Sequence, residues 1–121
     1  LAQEEGISTR EVDLESSDWP YVGQFFDAVV VCNYLYRPGF ERLLDLLPEG
    51  GVLIYETFMA GNEQFGRPAS PDFLLLPGEL LTRCAGWQIV AFEQGVVSSP
   101  RQAAIQRICA VRGPALATVL P

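Results

Sequence analysis

Residues 25–36 read FFDAVVVCNYLY. From Ala28 to Cys32 every residue is small or apolar, with three consecutive valines and no polar alternation. Alternation marks a strand with one wet face, whereas an unbroken β-branched run predicts a strand buried on both faces inside a parallel sheet. The run then passes into Asn33, Tyr34 and Tyr36. Polar and aromatic side chains at the carboxyl end of such a strand point to a ligand pocket, because open α/β sheets bind ligands outside that end.

The residues that follow agree with this assignment. Residues 38–47 (PGFERLLDLL) place Phe40, Leu43, Leu44 and Leu47 at helical spacing, and Pro48-Glu49-Gly50-Gly51 ends the helix. Residues 51–58 (GVLIYETF) form a second buried strand. Strand, helix and strand with short joints make a βαβ unit, which implies parallel pairing through a right-handed crossover.

Residues 59–77 (MAGNEQFGRPASPDFLLLP) hold two Gly and three Pro, and a loop of that length usually has work to do, such as covering a pocket. Residues 78–84 predict a short helix with Leu80 and Leu81 inward. Residues 87–93 (WQIVAFE) and 104–112 (AIQRICAVR) alternate as strands and are close enough in sequence for an antiparallel hairpin. Upstream, residues 9–14 (TREVDL) alternate as a short strand and residues 15–23 are a loop. LAQEEGI reads as the last turns of a helix stopped at Gly6, so a preceding segment is expected. The tail, residues 113–121, has no clear period.

Composition narrows the chemistry. The 121 residues suit one domain, and 49% hydrophobic content suffices for a core. A net charge of −7 disfavours nucleic acid and anionic membranes as partners. There is no His, and all eight cations are Arg. Ser-His-Asp and Cys-His catalysis, Schiff-base chemistry and a phosphate-loop lysine are thereby excluded for this chain. Cys32, Cys84 and Cys109 are far apart and odd in number, the pattern of reduced core thiols in a cytoplasmic protein.

The order of elements and the wording of their joints resemble the later two-thirds of a class I, Rossmann-like S-adenosylmethionine-dependent methyltransferase. Val12-Asp13-Leu14 looks like the family's third strand, FDAVVVCNYLY like its fourth, and LLPEGGVLIYETF like the helix, Pro-x-Gly-Gly turn and fifth strand. More narrowly, YETF followed by GNEQFGRP and LLLPGELL is similar to a tellurite-resistance-like bacterial subgroup. The resemblance covers about residues 1–112. It implies an α/β sheet, mostly parallel with a final antiparallel strand, and it departs from the family in offering no glycine-rich loop and no ribose-binding acid. Both belong to the family's first two strands, so an amino-terminally truncated domain is expected. Without those strands the fourth becomes an open apolar edge, and association into a homo-oligomer through that edge is expected.

The resemblance also implies roles. Asp13 and Leu14 would hold adenine, with Cys32, Asn33 and Tyr34 beside the methionine moiety of S-adenosylmethionine. The acceptor is expected to be a small molecule, and no metal is required. Tyr34 and Tyr36 offer π faces to a sulfonium or, alternatively, plain aromatic cover. Glu56, if desolvated at its strand end, would suit proton abstraction from the acceptor; its alternative is an ion pair with Arg37 or Arg67. Tyr36, Arg37, Asn62, Phe65, Gly66 and Arg67 are candidates for acceptor contacts or a lid, against an ordinary ordered loop. Cys32, Trp87 and Cys109 otherwise read as core. The rival function is a non-catalytic Rossmann-like interaction or dimerisation module that binds no cofactor; a nicotinamide-binding enzyme fits the Pro-Glu-Gly-Gly joint and closing hairpin less well.

Overall fold

The computed structural model describes residues 6–16 and 18–113. The helix tail expected before Gly6 and the tail from residue 114 lie outside the described residues. Four strands form one sheet: β1 (Ala28–Cys32), β2 (Val52–Phe58), β3 (Gln88–Val97) and β4 (Ala103–Val111), in the spatial order β1-β2-β4-β3. β1 runs parallel to β2, in register from Ala28 opposite Val52 to Cys32 opposite Glu56. β4 is antiparallel to both of its neighbours, and β3 carries an irregularity between Ile89 and Ala91.

A 3-10 turn at Arg37–Gly39 leads into α1 (Phe40–Leu44), and α2 (Glu79–Arg83) precedes the hairpin. α1 is shorter than its apolar spacing suggests, yet Leu46 and Leu47 beyond it remain buried. The Pro-Glu-Gly-Gly joint has a steric reason. Gly50 takes a φ of 87°, and a Cβ on Gly51 would lie 2.9 Å from the Pro48 carbonyl oxygen. Glycine alone tolerates both demands.

The core lies on one side of the sheet. Leu53 and Tyr55 of β2 and Ile108 and Ala110 of β4 are buried against Phe40, Leu44, Leu47 and Leu80. The Phe40 and Tyr55 rings stack at 5.3 Å. The opposite face is bare among the described residues. Its central cross-strand row is Val30, Ile54, Cys109 and Ala91, with Val30 63% and Ile54 44% exposed. The next row, Cys32, Glu56, Arg107 and Glu93, is charged and ion-paired.

Several expectations are corrected here. The apolar runs of β1 and β2 are each covered on one face only, half-buried in β1 and fully buried at Leu53 and Tyr55 of β2, because among the described residues the helices pack on one side of the sheet. Cys32, expected in the core, is exposed on the bare face, and Cys109 and Trp87 are half-buried. Residues 9–14 form no strand, since no described strand lies beyond β1 to complete a backbone ladder. Leu81 faces outward at 39% exposure while Leu80 is fully buried, because so short a helix turns only one narrow side to the sheet. Among the described residues no helix is long and apolar enough to cross a membrane.

Candidate functional site

Two adjacent parallel strands deliver their carboxyl ends to the same place. The chain leaves β1 through Asn33, whose φ of 55° makes it the one described non-glycine residue in the left-handed region. Asparagine tolerates that region better than most side chains, which supplies a backbone reason for its presence. Its N–H donates to the Glu56 carbonyl at 2.9 Å and extends the parallel ladder one residue past β1. The fully buried Tyr55 donates its hydroxyl to the Tyr34 carbonyl, fixing the exit from below. Burial, joined by the charge of the neighbouring Tyr34 and Glu79, pushes the Tyr55 hydroxyl well above its ordinary pKa, so it remains a donor.

Above the two exits lies a cavity of about 350 Å³ lined by Asn33, Tyr34, Thr57, Phe58, Pro68 and Phe73, with Glu15 at its wall. A larger groove of about 740 Å³ follows the open edge of β1, where Leu14, Cys32 and Tyr34 meet Trp19, Tyr21 and residues 8–10. Tyr34 bounds both spaces. Its pKa is raised, first by burial and next by the Glu15 charge, so its hydroxyl stays protonated at neutral pH. A third space of about 550 Å³ continues outward past Phe58 and Phe73 to Arg67 and Arg101.

The sequence-selected residues divide. Leu14, Cys32, Asn33, Tyr34 and Arg67 line these connected spaces. Asp13 is exposed beside them, one carboxylate oxygen accepting from the Glu15 N–H at 2.9 Å. Glu56 points to the bare face instead: its side chain is 40% exposed and pairs with Arg107 at 3.1 Å. The desolvation on which a basic role rested is absent. Arg37 grips Glu79 with Nε and Nη2 at 2.9 and 2.8 Å and donates to the Pro71 and Leu74 carbonyls. That makes it a clamp between the β1 exit, the long loop and α2. Buried Asn62 donates to the Pro68 carbonyl and accepts from the Ala104 N–H, stapling the loop to β4. Phe65 is half-buried and lines none of the three spaces, and Tyr36 packs on Gly39. Residues 59–77 are therefore an ordered wall, tied down at both Asn62 and Leu75.

Thr57, Phe58, Phe73 and Arg101 were not singled out by sequence. The position of Thr57 and Phe58, one and two residues past Glu56 on a strand already assigned to the site, was the available signal. Phe73 and Arg101 arrive by tertiary closure and left none.

No protein-family model matches the chain, and no curated protein matches it in sequence. Solved structures do. TehB from Haemophilus influenzae is similar over 73% of this chain with a TM-score of 0.60 and 13% identity, and the match spans 36% of that protein. The 4+2 cyclase SpnF is similar over 87% of this chain with a TM-score of 0.53 and 16% identity, spanning 55% of its length. The described chain thus accounts for about a third to a half of the proteins it resembles. Likeness at this identity speaks to architecture alone, and the sheet order agrees with it: the chain has a mixed α/β, Rossmann-like fold, here a parallel strand pair and its closing antiparallel hairpin.

Proposed function

We propose that the chain is the carboxyl-terminal two-thirds of an S-adenosylmethionine-dependent methyltransferase domain acting on a small acceptor. The observation that carries this reading is the parallel pairing of β1 and β2 with both exits opening on one cavity. The residues there suit the amino-acid end of the cofactor: an exposed Asn33 amide, a neutral Tyr34 ring and the Glu15 carboxylate around a space of about 350 Å³. Asp13 and Leu14 would meet its adenine, since they lie toward the groove that Tyr34 also bounds. The described residues contain no glycine-rich strand-to-helix turn, so the chain would hold one side of the cofactor only.

Held between Asn33, Tyr34 and Glu15 on one side and Asp13 and Leu14 on the other, S-adenosylmethionine would supply an electrophilic sulfonium methyl for transfer to the acceptor. The chain's contribution is alignment and exclusion of water, which together are worth about 7–11 kcal/mol in favourable cases. Tyr34 acts through its π face against positive charge and not as a base, because its hydroxyl is held protonated. Glu56 and Arg37 have no part in this scheme. The uncharged β1 edge, AVVVC, would pair with a second copy of the chain.

Calorimetry on the 121-residue chain tests the reading. S-adenosylmethionine and S-adenosylhomocysteine should both bind saturably, and Tyr34→Ala should weaken the charged sulfonium by about 2- to 30-fold while affecting the neutral thioether less. Absence of binding by either compound overturns the cofactor site on this chain and favours the rival, a non-catalytic module. That rival draws its support from the outer edge of β1, which has no strand partner among the described residues.

A further inference from the structure

Of the eight arginines, seven are engaged. Arg37 and Arg83 meet Glu79, Arg107 meets Glu56 and Glu93, and Arg112 lies near Asp45 and over Trp87. Arg10 and Arg42 bond to carbonyls and stack on Tyr21 and Trp19, and Arg101 donates to the Arg67 carbonyl at 3.0 Å. The Arg67 guanidinium alone has no hydrogen bond, ion pair or stacking partner among the described residues. Both Arg67 and Arg101 stand on the 550 Å³ space beyond the strand exits, and no acidic side chain among the described residues lines it. This is an unusual place for two cations in a chain with fifteen acids. Its inner wall is apolar, formed by Phe58, Pro68 and Phe73, and Phe73 is 54% exposed there. The same three residues bound the smaller cavity above Asn33 and Tyr34, so the two spaces share a wall.

We propose that Arg67 and Arg101 form an anion subsite for the acceptor, which is a small carboxylic acid with a flat apolar body. The carboxylate would take the guanidinium N–H groups, for which a planar fork is geometrically suited. The body would lie on Phe73 and Phe58, placing its far end toward Asn33 and Tyr34. This deepens the methyltransferase reading and rests on it for the meaning of "acceptor", but the subsite itself is testable without any cofactor.

The probe is benzoate, with benzamide as its neutral isostere and acetate and inorganic phosphate as anions without the ring. Titration of the isotope-labelled chain by NMR should move the amides of Ala69, Ser70 and Arg101 saturably with benzoate. Benzamide, acetate and phosphate should each bind at least about tenfold more weakly. The double variant R67Q/R101Q should lose benzoate binding by a similar factor, and R67K/R101K should recover part of it. Should the glutamine variant fail to fold, the comparison of probes on the parent chain decides alone. Equal binding of benzoate and benzamide, equal binding of benzoate and phosphate, or shifts confined to other residues would overturn the subsite. A failure here leaves the calorimetry with S-adenosylmethionine untouched, and a failure there leaves the benzoate result standing as an anion site of unknown purpose.

Discussion

Leu53 and Ile54 are neighbours in β2, both branched and apolar, yet Leu53 is fully buried while Ile54 is 44% exposed. One faces α1 and the core; the other faces the open row of Val30, Cys109 and Ala91. Sequence hydrophobicity alone does not distinguish them. Whether an apolar side chain stabilises the fold depends on what the rest of the chain lays over it, and among the described residues only one face of the sheet is covered. The sharpest break of this contrast is a pair of truncations. Leu53→Ala should cost about 2–5 kcal/mol of unfolding free energy, the range for a fully buried leucine leaving a cavity. Ile54→Ala should cost less than about 1 kcal/mol. Urea unfolding midpoints at unchanged slope measure both, and equal losses would mean that the bare face is covered in solution.

The charged clusters of the two faces sharpen the same point at smaller scale. On the covered side Glu79, 9% exposed at its side chain, holds Arg37 and Arg83 and accepts from the Leu76 N–H. Burial alone would raise its pKa, but the Arg37 hydrogen bond and the other donors outweigh it and hold the carboxyl below the usual range. A depressed folded pKa stabilises the protein above the unfolded value of about 4.3, and that contribution disappears as pH falls through the folded value. Glu79→Gln should therefore cost about 1–3 kcal/mol at pH 7. The difference between parent and variant should shrink in acid, below about pH 4.3, and persist unchanged at neutral pH. Arg107→Gln, which breaks the exposed pairs with Glu56 and Glu93, should cost measurably less at pH 7. A pH-independent difference for Glu79→Gln would remove the carboxylate from the account.

These contrasts explain what was legible beforehand. The bounds of β1 and β2 agree with the expected runs, because local β-branched content and a Pro-x-Gly-Gly stop leave a chain few alternatives. The antiparallel hairpin was legible in the alternation of residues 87–93 and 104–112, although β3 runs on to Val97, past the expected end. Residues 9–14 carried an equally good strand pattern and form none, since a strand also needs a partner that no local pattern supplies. At the site, Asn33 and Tyr34 could be chosen because they sit at a strand exit. Arg37 and Asn62 looked like ligand contacts, being polar in a polar loop, and the partners that make them structural are 42 residues away in sequence. Partnerships at that range are decided by closure of the whole fold.

The smallest expected change in stability belongs to the edge of β1. Val30 is 63% exposed on the bare face of a five-residue strand that carries neither charge nor proline and has no described neighbour on its outer side. Natural sheet edges are commonly guarded by lysine, and this one is not. Val30→Lys should leave the unfolding free energy within about 0.5 kcal/mol of the parent, because little contact is lost. Its effect should instead fall on association. If a second copy pairs along β1, sedimentation should find the parent heavier than its 13.3 kDa chain and the lysine variant at that mass. A parent that already sediments as a monomer at tens of micromolar would sink the edge pairing, and would leave the bare face as the better place to look for what completes the sheet.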